Sequence, residues 1–230
     1  MDALSAWFAQ LEFGPLLDIL LAGAVALVCI TFHEVCHGLA ALALGDTTAK
    51  RAGRLTLNPM KHVDPFGLLL LVTAKVGWAK PVPIDPRHFK NPKVGMAITA
   101  IAGPLSNVVL SALAAALYTV TMFYAVYLNL PLPDWISTFF YYMFYISAGL
   151  AVFNILPFPP LDGSKVLLSL LPQKWYWKLL QYERYGMFVL MALTLTGVLD
   201  APLNFLRDGL TEFLAPISGW VLELLIVIHS

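Results

Sequence analysis

The run LLDILLAGAVALVCITFHEVCHGLAALAL, residues 16–44, is long enough at ~1.5 Å per residue to cross the ~30 Å hydrocarbon core of a bilayer as one helix. Inside it, His33-Glu34-Val35-Cys36-His37 places two imidazoles and a carboxyl group in an otherwise apolar stretch. Each such group costs a few kcal/mol at membrane depth unless a partner compensates it. The rest of the chain is therefore read for that partner.

Composition agrees with a membrane location. Of 230 residues, 59% are hydrophobic and 12% charged, and the mean hydropathy is +0.76, beyond what a water-soluble surface tolerates. The formal net charge is zero, which argues against a nucleic-acid partner. The opening MDALSAWFAQLEFG has no basic segment ahead of its apolar residues and reads as mature protein rather than a signal peptide, with targeting expected through the first hydrophobic helix. Cys29 and Cys36 stand roughly 10 Å apart along one predicted helix, too far for a disulfide.

Further apolar runs of spanning length occur at Val94–Leu128, Trp135–Leu156, Gly186–Leu199 and Leu210–Ile228, the fourth span being short. The run FGLLLLVTAKVGW from Phe66 is interrupted by Lys75 and reads as a re-entrant or interfacial piece. If it does not cross, the basic residues from Lys50 to Lys93 share one side with Lys165, Lys174, Lys178 and Arg184, leaving Arg207 alone opposite. The expected fold is an all-α membrane protein: a polytopic bundle of five or six spans, five preferred, with the N-terminus outside, the C-terminus inside and a short re-entrant or strand-like segment after the first span. The whole chain, 1–230, is expected to be one membrane domain, with a core at 16–170 and additional spans at 171–230. RAGRLTLNP and WAKPVPIDP, near residues 51–59 and 78–86, alternate apolar and polar residues among prolines and predict short edge strands or extended loops.

The HExxH spacing puts two imidazoles one helical turn apart, facing the same way, so that together they can grip one zinc ion, while Glu34 can reach a water beside it. Chance alone would produce this pattern in a chain of this composition only about twice in a thousand. Two histidines leave a catalytic zinc one protein ligand short. FNILPFPPLDG, residues 153–163, offers Asp162 after three prolines that break the preceding helix and let the chain turn back into the bundle, although Asp-Gly is also ordinary turn chemistry. Asn154, still within the apolar span, can donate a hydrogen bond to a substrate carbonyl.

Together, the HEVCH stretch and the N-x-x-P-x-P-x-L-D-G pattern at Asn154–Gly163, with AGPLSN at 102–107 between them, resemble the site-2 protease family of intramembrane zinc metalloproteases, peptidase M50, in its compact bacterial form without a PDZ domain. The resemblance covers about residues 20 to 170. It implies that His33, His37 and Asp162 bind one Zn2+ per chain, that Glu34 is the catalytic base, and that Asn154 holds substrate or stabilises the oxyanion. The implied partners are a transmembrane protein substrate and the lipid bilayer, and the implied location is the bacterial inner membrane, multi-pass, with the site nearer the cytoplasmic face.

Other readings accompany this one. The same residues would suit a membrane zinc transporter or sensor without hydrolytic activity, which explains the histidines but not the glutamate between them. His62 and Asp64 would line the entrance or bind a second metal, or else cap a turn. Leu55–Leu57 and Val82–Ile84 would pair with an unwound stretch of substrate by strand addition, or form a simple edge. Gly103, Ser106 and Asn107 are expected to allow close helix approach, with Asn107 bonding between helices.

Overall fold

The computed structural model describes residues 14–67 and 79–229. Helix α1, Gly14–Ala43, carries the HEVCH stretch. It stops where Gly45 takes φ +101° and the Asp46 amide donates back to the Ala41 carbonyl at 2.9 Å, a left-handed turn that satisfies the last carbonyls. After a short α2, Thr48–Arg51, the chain makes two 3-10 turns, Pro59–Lys61 and Pro86–His88, each opened by a side chain that accepts from the backbone: Asn58 from Met60 and Asp85 from Arg87. Helix α3, Pro92–Met122, starts on the Asn91 side chain with proline at its first position, and its end winds into a π-turn at Phe123–Tyr127. Helix α4, Asp134–Ile155, is followed by α5, Asp162–Ser169, α6, Gln173–Leu180, α7, Glu183–Leu195, and α8, Asp200–His229.

Helices α1, α3 and α4 form the centre of the bundle. Val25 and Cys29 of α1 pack with Ala114 of α3 and Met143 of α4, all buried. Small polar residues fasten α3 to α4: Ser111 Oγ donates to the Phe144 carbonyl at 2.8 Å, and Ser147 Oγ donates to the Asn107 carbonyl at 2.9 Å. Such hydrogen bonds hold helices together where lipid offers no hydrophobic drive. Asn107 thus joins the helices through its backbone rather than through the side chain expected to do so. The outer faces are apolar, with Leu105, Val109 and Leu113 on α3 and Phe205, Phe213 and Trp220 on α8 exposed, as lipid requires. The protein is an all-α integral membrane protein.

The described residues supply fewer helices of spanning length than the expected five or six crossings. Four helices, α1, α3, α4 and α8, are long and apolar enough to span. The anticipated span at Gly186–Leu199 is instead the 13-residue α7, about 20 Å long, which ends before Gly197 turns the chain at φ +71°. Helix α8 then begins ten residues earlier than Leu210. Near its start, Arg207 lies against Gly149 of α4; at its far end, His229 meets Phe123 with rings 5.3 Å apart. It therefore runs antiparallel to α4 and parallel to α3, and the C-terminus emerges on the same side as the start of α1. Arg207 moves with it towards the side that holds the other basic residues, a distribution more one-sided than five spans allowed.

Among the described residues no β-strand forms; RAGRLTLNP and the part of WAKPVPIDP from Ala79 onward become turns and extended loop. Residues 68–78, most of the Phe66–Trp78 run, lie outside the described residues. Its flanks pair, Val63 with Ala79 in an isolated antiparallel bridge, and the Lys80 amide donates to the His62 carbonyl at 2.8 Å. The described flanks of that run thus stand side by side.

Candidate metal centre

The HEVCH turn of α1 faces α3 at Gly103. A Cβ on Gly103 would stand 2.7 Å from His33 Cε1 and nearer still to His37 Cε1 and Nε2, so only glycine leaves room for both rings. The expected role for Gly103, close helix approach, is thus sharpened to an approach by the imidazoles themselves. His37 Nδ1 lies 2.7 Å from the Thr99 carbonyl, which can only accept, so Nδ1 carries the proton and Nε2 presents a lone pair.

Asp162 arrives from the other half of the chain. Helix α4 stops at Ile155, and the proline segment that follows delivers Asp162 as the first residue of α5. Gly163 makes this possible, because a Cβ there would sit 2.5 Å from the Leu156 carbonyl oxygen and closer to that of Ile155. Asp162 Oδ2 lies 3.1 Å from His33 Nε2 and 3.0 Å from His37 Nε2, and the two ring nitrogens are 2.9 Å apart. All three residues are buried. Its second oxygen, Oδ1, faces Lys165 Nζ at 3.5 Å, and Lys165 in turn lies 3.9 Å from Glu183 at the start of α7. Burial alone would raise the Asp162 carboxyl, but His33, His37 and Lys165 hold it well below the usual carboxylate range, in its ionised form.

These donors fit a metal. Two imidazole nitrogens and one carboxylate oxygen converge with nothing but one another for company, and four ligands about 2.0–2.1 Å from one zinc would stand roughly 3.3 Å apart. The His37–Thr99 bond is the outer support that fixes a ligating ring.

Glu34 lies next to His33 on α1, partly exposed, and its Oε2 accepts the backbone N–H of Val82 at 2.8 Å. Asn154 is turned to its own helix: its Nδ2 donates to the Leu150 carbonyl one turn back on α4, at 3.0 Å. His62 is almost fully buried with Nε2 2.9 Å from the Thr56 carbonyl, while Asp64 accepts from the amides of Phe66 and Gly67, so this pair builds its own turn. The segment expected to add a strand is constrained, since Pro81 and Pro83 have no N–H and that of Val82 is already bound to Glu34. Sequence reading missed Thr99, Lys165 and Val82. Only Lys165 left a signal, standing one helical turn beyond Asp162.

Residues 131–196 match peptidase family M50. Over 195 residues the chain is 37% identical to the candidate zinc metalloprotease YwhC of Bacillus subtilis, an alignment covering 83% of this chain and 89% of that one. The chain belongs to peptidase family M50. Within the family it is also 28% identical over 207 residues to the candidate zinc metalloprotease Rip2 of Mycolicibacterium smegmatis, covering 85% of this chain and 75% of the relative. No solved structure matches the chain. The stretch matched to M50 includes Asn154 and Asp162, and the site-2 protease resemblance carried by the HEVCH and LDG elements agrees with the family.

Proposed function

We propose that this M50 member is an intramembrane zinc metalloprotease that hydrolyses peptide bonds in or near the transmembrane segments of membrane-protein substrates. The observation that carries this reading is the convergence of His33, His37 and Asp162 within about 3 Å of one another, with Glu34 adjoining on the same helix. His33, His37 and Asp162 would hold one zinc ion, which when bound supplies a Lewis acid that polarises a carbonyl and acidifies water. Glu34 takes the proton of the attacking water and passes it to the leaving nitrogen as the C–N bond breaks. Asn154 exchanges its bond to the Leu150 carbonyl for one to substrate, steadying the negative charge on the carbonyl oxygen. A glutamate in the middle of the motif that is not among the three converging donors favours hydrolysis over carriage, since a transporter needs ligands but no base.

The concentration of Lys and Arg on the side where α1 and α4 end supports reading that side as cytoplasmic, with water reaching the site from the cytoplasm of a bacterial cell. The test is to purify wild type, Glu34→Gln and Asp162→Asn, measure zinc, and incubate each with a single-span substrate. Glu34→Gln is expected to keep its zinc and lose cleavage by at least about 100-fold, and Asp162→Asn to lose both. Undiminished cleavage by Glu34→Gln would refute the reading.

A further inference from the structure

Arg54 is buried to 8% exposure, and among the described residues no carboxylate pairs with it. A buried guanidinium without a counter-ion is costly, so its position calls for a reason. Its Nη2 donates to the Lys80 carbonyl at 2.6 Å, and Nε is buried without a partner. The Lys80 amide is tied as well, donating to the His62 carbonyl at 2.8 Å. Both backbone groups of Lys80 are thus held from beneath by the loop that carries Arg54 and His62. Two residues on, the Val82 N–H reaches Glu34 Oε2 at 2.8 Å.

The packing points the same way. Gly38 lies one helical turn beyond Glu34 on the same face of α1, and a Cβ there would meet Val82 Cγ1 at 3.2 Å and collide with Leu55. The absent side chain lets the loop close onto α1 beside the carboxylate. Pro81 and Pro83 carry no amide hydrogen, so the single donor of residues 81–83 is the one aimed at Glu34. A carboxylate held by one oxygen is anchored beside the loop and keeps Oε1 to exchange a proton.

We propose that Arg54 is a positioning residue for Glu34, acting through the backbone of Lys80 and Val82. This inference rests on the reading of Glu34 as the base of a protease. It assigns a role to the Arg54–Thr56 and His62 loop beyond that of an edge: a brace 26 residues distant in sequence from the carbonyl it holds.

The test uses full-length wild type, Arg54→Met and the milder Arg54→Lys. Hydrogen–deuterium exchange resolved to the Val82 amide by overlapping peptides across 79–85 reads the bond without reference to activity, Pro81 and Pro83 on either side contributing no amide. Arg54→Met is expected to speed exchange at Val82 by about tenfold or more, and Arg54→Lys by less. Both should retain wild-type zinc content, with kcat lowered about 10- to 100-fold and KM within about twofold. In a Glu34→Gln background, Arg54→Met should cost no further activity. Val82 exchange unchanged from wild type overturns the proposal; so does a loss of zinc and thermal stability in both variants, the mark of a purely structural arginine. If wild type fails to cleave, or Glu34→Gln cleaves as well as wild type, the protease reading falls instead, and the exchange experiment still reports whether Arg54 holds Val82 in place.

Discussion

Replacing Gly103 with alanine tests the candidate metal centre without touching a candidate ligand. The added Cβ would lie 2.7 Å from His33 Cε1, against an ordinary contact of 3.4 Å or more, so that ring must retreat by about 0.7 Å, and the His37 ring, closer still, by more. Metal–ligand distances tolerate only about 0.2 Å. His37 cannot swing away freely, because its Nδ1 is bonded to the Thr99 carbonyl at 2.7 Å. At least one imidazole is therefore forced out of reach of the ion, and zinc affinity should fall by about 100-fold or more. The overpacking itself should cost about 1–3 kcal/mol of stability, and the bundle should still fold. Competition with a chromogenic zinc chelator, paired with thermal unfolding in detergent, separates the two effects. Zinc bound within about threefold of wild type by a folded Gly103→Ala protein would show that Gly103 does not shape the site.

Gly163→Ala should likewise weaken zinc binding, because the new methyl group drives α5 off the end of α4 and carries Asp162 with it; chelator competition is again the measurement. Ser147→Ala removes a buried bond between α4 and α3 and should lower stability by about 1 kcal/mol in detergent unfolding, with zinc content unaltered. Asp46 is buried, which by itself raises its carboxyl, but donors from Thr48, Asp85 and His88 hold it below the ordinary range. Its folded-state pKa is depressed, so its stabilisation is complete above the unfolded carboxylate range, about pH 4, and fades as pH falls through the lower folded value. Asp46→Asn should therefore melt earlier than wild type at pH 7, with the gap closing below about pH 4; a gap constant down to pH 3 would contradict this. Single cysteines at Leu130 and His229, in a background lacking Cys29 and Cys36, should label from one side of the membrane and a cysteine at Lys90 from the other. Labelling of His229→Cys together with Lys90→Cys would restore an odd number of crossings.

The candidate site was legible wherever its grouping depends on local spacing. His33 and His37 face one way because they lie one turn apart, and Asp162 could be singled out because prolines end the helix before it. Long apolar runs likewise announced α1, α3 and α4. The count of crossings was not legible, because Gly186–Leu199 and Leu210–Ile228 read as two runs, whereas the helix boundaries are set by the turn at Gly197 and by charged residues, Arg207 and Asp208, that bond to each other within α8. Glu34's link to Val82 spans 48 residues, and His37's link to Thr99 spans 62; both end on backbone groups, which are the same at every position and leave no trace in residue type. Gly103 and Gly163 were visible as residues, but what each makes room for emerges only when the neighbouring helix is in place.

The direction of α8 bears on how the protein is made. The four described helices of spanning length pair as two helical hairpins, α1 with α3 and α4 with α8, each running from one face to the other and back. The first turn region brings the histidines and Glu34, the second brings Asp162, and neither holds a complete set of ligands. A nascent chain consequently lacks a complete candidate ligand set until the second hairpin has inserted and docked on the first. The connection at 128–133, on the face away from the metal, is a natural place to divide the gene, and two separately expressed halves should be silent alone and recover zinc binding when they meet in one bilayer.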